Sequence, residues 1–157
     1  MLKISRKHSV TLSLVIAGLF LAMLIACAVV LPQIVTPLVT YANQSGLLPA
    51  LLPATVAPVL VLAYLVVATM AWADILLVRL LLHVREEEVF TAKAVSLIRG
   101  ISWCCFLLCL WFTVVGIWFQ LSFVVAVAAV FLGLCLRVVK NVIEQAIVIK
   151  EENDFTV

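Results

Sequence analysis

Charge is what this chain has least of. Only 11% of its 157 residues are Asp, Glu, Lys or Arg, whereas a soluble domain carries about 25%. With 67% hydrophobic residues, that scarcity excludes an ordinary soluble domain and leaves an integral membrane protein. Chemical groups are scarce as well. His8 and His83 are the only histidines, and neither stands with a nucleophile or a set of metal ligands. There is no glycine-rich phosphate loop, no serine elbow and no pair of intramembrane acids. No enzymatic activity, cofactor or metal is therefore expected. The net charge of +2 gives no basis for direct nucleic acid binding. The five cysteines all lie within apolar segments and read as small hydrophobic filler. Cys105 and Cys109 share a helix face, but no His or carboxylate accompanies them in that helix, so no metal site is assigned.

The charge that is present is confined to three clusters: the N-terminal Lys3, Arg6 and Lys7, the stretch from Asp74 to Arg99, and the stretch from Arg137 to Asp154. These clusters fall at alternate ends of the apolar runs. An even number of crossings then puts every Lys and Arg on one face, which the positive-inside rule makes cytoplasmic. The expected fold is all-α: one domain, 1–157, forming an integral membrane four-helix bundle with both termini in the cytoplasm. Spans are expected at about 10–31, 55–82, 100–119 and 121–138, with an outer loop at 32–54, a cytoplasmic loop at 83–99 and a cytoplasmic tail at 139–157. The localisation implied is a cytoplasmic membrane crossed several times, with the lipid bilayer as the first partner.

Several local features refine this layout. The basic leader and apolar run resemble a signal peptide, and Leu24 to Cys27 match a lipoprotein cleavage pattern, but the run continues to Leu31 as a spanning helix does. That helix is expected to stop at Pro32, and the outer segment, broken by Pro32, Pro37, Pro49 and Pro53, is not expected to be a continuous helix. Gly18, Ala22 and Ala26 form a stripe of small residues of the kind that lets helices approach closely in lipid, and the chain could self-associate there. The second helix is longer than one crossing needs, so its last turns should project. The third and fourth are joined so briefly that they must form an antiparallel hairpin. Trp72, Trp103, Trp111 and Trp118 suit headgroup contacts or core packing.

Two cytoplasmic segments are the candidate recognition surfaces. In the loop, Thr91 can cap a helix starting at Ala92, with Phe90 against Val95 as a hydrophobic staple. Glu86, Glu87 and Glu88 precede that helix N-terminus, where its dipole favours them, and together with Phe90 they could dock a basic partner. In the tail, Val138 to Ile147 repeats apolar pairs every four residues, the pattern of an amphipathic helix. Its expected place is against the cytoplasmic loop, with partner binding next. Lys140, Glu144, Glu151, Glu152 and Asp154 supply its polar groups, and its acids weigh against an anionic membrane surface. Asp74, Arg79 and Arg137 are the polar groups within or bordering the spans. Asp74 is expected to pair with Arg79, Arg99 or Arg137 at similar depth, or to sit in a wet headgroup position, rather than to relay protons.

The same two segments carry a family resemblance. The run Glu86, Glu87, Glu88, Val89, Phe90, Thr91, followed by Leu97, Ile98, Arg99 and Ile101 to Phe106, resembles the middle motif of the bacterial membrane proteins grouped as domain of unknown function 2975. The ending, Val138 to Ala146 and Lys150 to Val157, is similar to that family's ending. Where a Gly often precedes the Val-Phe pair, this chain has Glu87 and Glu88. The resemblance implies a small protein of Gram-positive bacteria, often encoded beside a helix-turn-helix regulator of the Cro and cI type, with no established activity. It therefore implies a membrane-bound regulatory partner that senses a signal or sequesters that regulator. The alternative is a small transporter, or a bacteriocin or toxin immunity protein, that uses the helix bundle itself.

Overall fold

Four helices account for almost all of the residues 6–44, 55–85 and 91–154 that the structure, a computed structural model, describes. They are α1 (Arg6–Gln44), α2 (Val56–Arg85), α3 (Ala92–Val115) and α4 (Ser122–Asp154). No strand occurs among the described residues. All four helices are long and apolar enough to cross a membrane. Successive helices pack antiparallel, α1 on α2, α2 on α3 and α3 on α4. No other pair of helices meets among the described residues, so the four stand in a row and the bundle is open.

The row puts the charge clusters at one end. Arg85 at the end of α2, Lys93 and Arg99 at the start of α3, and Arg137 to Lys150 on α4 share that end, while the turn between α3 and α4 lies at the uncharged one. There Leu31, Val35 and Val39 of α1 pack with Val59 of α2, and Trp118 and Phe119 of the α3–α4 turn close on the cluster. Leu31, Val35 and Val39 lie four residues apart, which is one face of a helix.

α1 departs from the expected boundary. It runs through Pro32 and Pro37 and ends at Gln44, so residues 32–44 of the expected outer loop are helical. Each proline removes one backbone donor, that to the carbonyl four residues earlier, Ala28 or Gln33, a loss that membrane helices tolerate. The Thr36 hydroxyl donates to the Pro32 carbonyl at 2.8 Å and that of Thr40 to the Thr36 carbonyl at 2.9 Å, bonds that add to the ladder beside the prolines rather than replace the lost ones. The rest of the expected outer loop, 45–54, lies outside the described residues.

Within the chain, small residues build a close helix contact on α4, while the stripe on α1 stays on the surface. Gly18, Ala22 and Ala26 are exposed, and nothing lies within 4 Å of where a Gly18 side chain would stand. The buried small face is on α4: Ala126, Ala129 and Gly133, spaced three and four apart. α4 meets only α3, and a Cβ on Gly133 would come within 3.2 Å of Cys105 and 3.3 Å of Phe106. The Ser102 hydroxyl, buried to 1% exposure, donates to the Gly133 carbonyl at 2.9 Å across this contact. A second polar link, from Trp111 Nε1 to Thr69 Oγ1 at 3.3 Å, joins α3 to α2.

Candidate functional site

α3 begins as its sequence dictates. Thr91 is extended, at φ −128° and ψ 149°, and its hydroxyl accepts a hydrogen bond from the Ala94 amide at 3.3 Å. Such a cap satisfies one of the amides that a helix start leaves open. The helix then buries Ala94, Val95 and Ile98 and presents Arg99 outward. Of the expected loop 83–99, then, 83–85 finish α2 and 92–99 open α3. Glu86, Glu87, Glu88 and Phe90 lie outside the described residues.

The tail does not fold back as a separate helix. Between Leu136 and Asn153 there is no Pro or Gly to stop the ladder, and α4 continues unbroken to Asp154. At 33 residues it is about 50 Å long, well beyond the roughly 30 Å of a hydrocarbon core. It still reaches the start of α3. Arg99 Nη2 donates to Glu144 Oε1 at 3.3 Å, and Lys140 Nζ lies 2.9 Å from Glu144 Oε2 one turn earlier on α4. Glu144 sits two turns past Arg137, in the overrun of the helix. The hydrogen bond from Lys140, with Arg99 behind it, holds its carboxyl below the usual carboxylate range. Expected packing of the tail on the loop is thus met at its last residue, Arg99. The opposite side of the tail, Val138, Val142 and Ile149, is exposed. Glu152 is exposed near the helix end, and the side chains of Glu151 and Asp154 lie outside what is described.

Arg137 is held by rings rather than by acids. Its guanidinium carbon lies 5.3 Å from the Trp103 ring centre and 5.1 Å from that of Phe106, within the range of a cation–π contact. The two rings meet edge to face, with centres 6.1 Å apart. Arg137, Arg99, Lys140, Ser102, Trp103 and Asn141 line a cleft of about 290 Å³ at this end of α3 and α4.

Asp74 stands apart from all these cations. The expected ion pair is absent: among the described residues neither Arg79, Arg99 nor Arg137 bridges to it. Arg79 is five residues further along α2, about 140° around the helix, and Arg99 and Arg137 belong to α3 and α4. Asp74 instead lines a cleft of about 390 Å³ between α1 and α2, with Ser13, Ala17, Phe20, Leu77 and Leu81. It is only 4% exposed, and its Oδ2 finds no hydrogen-bond donor among the described residues. Arg79 is exposed, and its carbonyl contacts His83 Nδ1 at 3.1 Å.

Two arrangements were not anticipated from the sequence: the Arg137 seat on Trp103 and Phe106, and the Ser102–Gly133 link. The second had a visible signal, since Ala126, Ala129 and Gly133 recur at helical spacing and obey the same small-residue rule as the stripe on α1. Among the described residues no three His, Cys, Asp or Glu side chains gather as a metal site would need, and all five cysteines are free.

A family model described as a protein of unknown function, DUF2975, matches residues 9–157. No curated protein and no solved structure matches the chain.

Proposed function

The chain belongs to the DUF2975 family of proteins of unknown function, and on that premise we propose that it is a non-enzymatic membrane-bound regulatory partner. In this reading it crosses the bacterial cytoplasmic membrane four times with both termini in the cytoplasm, and its charged end holds a small helix-turn-helix transcription regulator. The observation that carries the reading is the Arg99–Glu144 tie. It joins the start of α3, at Arg99, to a tail that overruns the membrane, so the first turns of α3 and the tail form one surface. The exposed line Val138, Val142, Ile149 on that tail suits helix-in-groove contact, flanked by charges that set specificity.

The test is co-purification of a small helix-turn-helix regulator taken from a gene neighbouring that of this chain. Full-length protein should retain it, and a variant lacking 140–157 with Glu86, Glu87 and Glu88 changed to Ala should lose it. Equal retention by both proteins would sink the proposed surface.

One observation favours a second reading, a small transporter or an immunity protein. An acid at membrane depth commonly marks a substrate or ion pathway, and Asp74, with no ion pair among the described residues, lies in an apolar cleft between α1 and α2. Asp74→Asn separates the two readings: lost resistance or lost proton-coupled flux favours transport, whereas unchanged flux with altered reporter expression favours regulation.

A further inference from the structure

The cleft at the charged end of α3 and α4 collects more positive charge than the acids among the described residues neutralise. Arg99, Arg137 and Lys140 line it, and the acid bonded to these cations, Glu144, is shared by Lys140 and Arg99. Arg137 makes no salt bridge among the described residues. Its position is nonetheless fixed, because Trp103 and Phe106 hold the guanidinium over their rings. A planar five-donor fork, oriented in advance and lacking a carboxylate, is the group that binds phosphate oxygens two at a time. The Asn141 amide in the same cleft adds donors that a phosphate can accept.

Depth says which phosphate. The cleft sits where the uncharged run of α3 gives way to Arg99 and that of α4 to Arg137, and Trp103 beside it is 56% exposed. Exposed indoles concentrate at the headgroup level of a bilayer. Towards the uncharged end, the same two helices form an apolar cleft of about 390 Å³ lined by Cys109, Thr113, Phe123, Val127, Phe131 and Leu134. Val127, Phe131, Leu134, Arg137 and Asn141 follow one another by four, three, three and four residues, so both clefts lie along one face of α4.

We propose that this face of the α3–α4 hairpin is a binding site for an anionic phospholipid, with the phosphate on Arg137, Arg99 and Lys140 and an acyl chain along the Phe131–Leu134 groove. Basic pockets between membrane helices at a headgroup level are suited to such lipids. The inference does not rest on the regulatory reading.

Native mass spectrometry of the full-length protein in detergent tests it, with phosphatidylglycerol, phosphatidylcholine or inorganic phosphate added. Wild type should retain one phosphatidylglycerol in preference to phosphatidylcholine, and millimolar inorganic phosphate should not displace it. Arg137→Ala should weaken retention roughly tenfold or more, the scale of a lost charged hydrogen-bond pair. Arg137→Lys, which keeps the charge and the helix, should fall between the two. Phe131→Ser should weaken retention without altering the basic cleft. Arg79→Ala, which removes the same charge outside the cleft, should retain lipid as wild type does. Equal retention of the two lipids, or equal losses from Arg79→Ala and Arg137→Ala, would overturn the proposal. Displacement by inorganic phosphate, or unchanged retention by Phe131→Ser, would overturn its lipid component.

Discussion

The two halves of the row solve the problem of polar groups among apolar helices in opposite ways. In the α1–α2 pair a single carboxylate, Asp74, is buried beside Phe20 and Leu77 with one oxygen lacking a donor. In the α3–α4 pair the polar groups along the helix contact have named contacts, Ser102 with Gly133, Lys140 with Glu144 and the exposed Arg137 with two rings. Only in the turn does a buried donor, Trp118 Nε1, lack a partner among the described residues. The helix contacts differ too. The α1–α2 pair joins through branched side chains at the uncharged end, while the α3–α4 pair closes on a glycine. Close backbone approach in the α3–α4 pair holds its polar links in place, whereas in the α1–α2 cleft one Asp74 oxygen is left without a donor among the described residues.

The largest test of this contrast is volume at the two glycines. Gly133→Val pushes Phe106 and Cys105 away from α4 and should cost about 1–3 kcal/mol, the range for overpacking a tight contact. Gly18→Val, facing open space, should stay within about 0.5 kcal/mol of wild type. Thermal unfolding of the purified protein in detergent reads both, and equal losses would erase the distinction between the pairs. Next comes Ser102→Ala, expected to cost about 0.6 kcal/mol, the mean for hydrogen bonds between membrane helices. A double-mutant cycle with Gly133→Ala should show that the two losses are coupled, since they act at one contact. Asp74→Asn should leave the unfolding midpoint unchanged or raise it, because among the described residues no cation loses its partner. A drop on the scale of Gly133→Val would mean that Asp74 is a structural member of its pair.

The smallest effect belongs to Glu144, which is partly solvated. Its carboxyl is held below the ordinary range by Lys140 and then Arg99. Its stabilising contribution is therefore complete above the ordinary glutamate pKa of about 4.3 and is lost as pH falls through its lower folded-state value. The midpoint difference between wild type and Glu144→Gln should shrink below about pH 4 and in about 1 M salt, where screening is short-ranged. A difference that persists under both conditions would assign the residue a packing role.

How much of this was readable beforehand varied with the kind of signal. The Thr91 cap and the α3 start at Ala92 were legible because capping depends on residues within one turn of each other. The hairpin of α3 and α4 followed from a connection too short to do anything else. The end of α1 is not legible in the same way, because Pro32 and Pro37 read as stops by the rule for helices in water, whereas α1 runs through both to Gln44. The partner of Asp74 was misjudged for another reason. Depth along a helix can be counted, but the direction a residue faces depends on which neighbour its helix packs against.

What the sequence determined by itself is the distribution of charge, the four apolar segments and, through them, an all-helical chain with one charged end, since these follow from hydropathy and helix length alone. The tertiary structure decided which faces meet. Two small-residue stripes obey the same rule, yet only Ala126, Ala129 and Gly133 are buried. Several cations lie near the depth of Asp74, yet none bridges to it among the described residues. Both outcomes have one physical cause: between helices in lipid there is no strong hydrophobic drive to select a face, so fit at close range selects it.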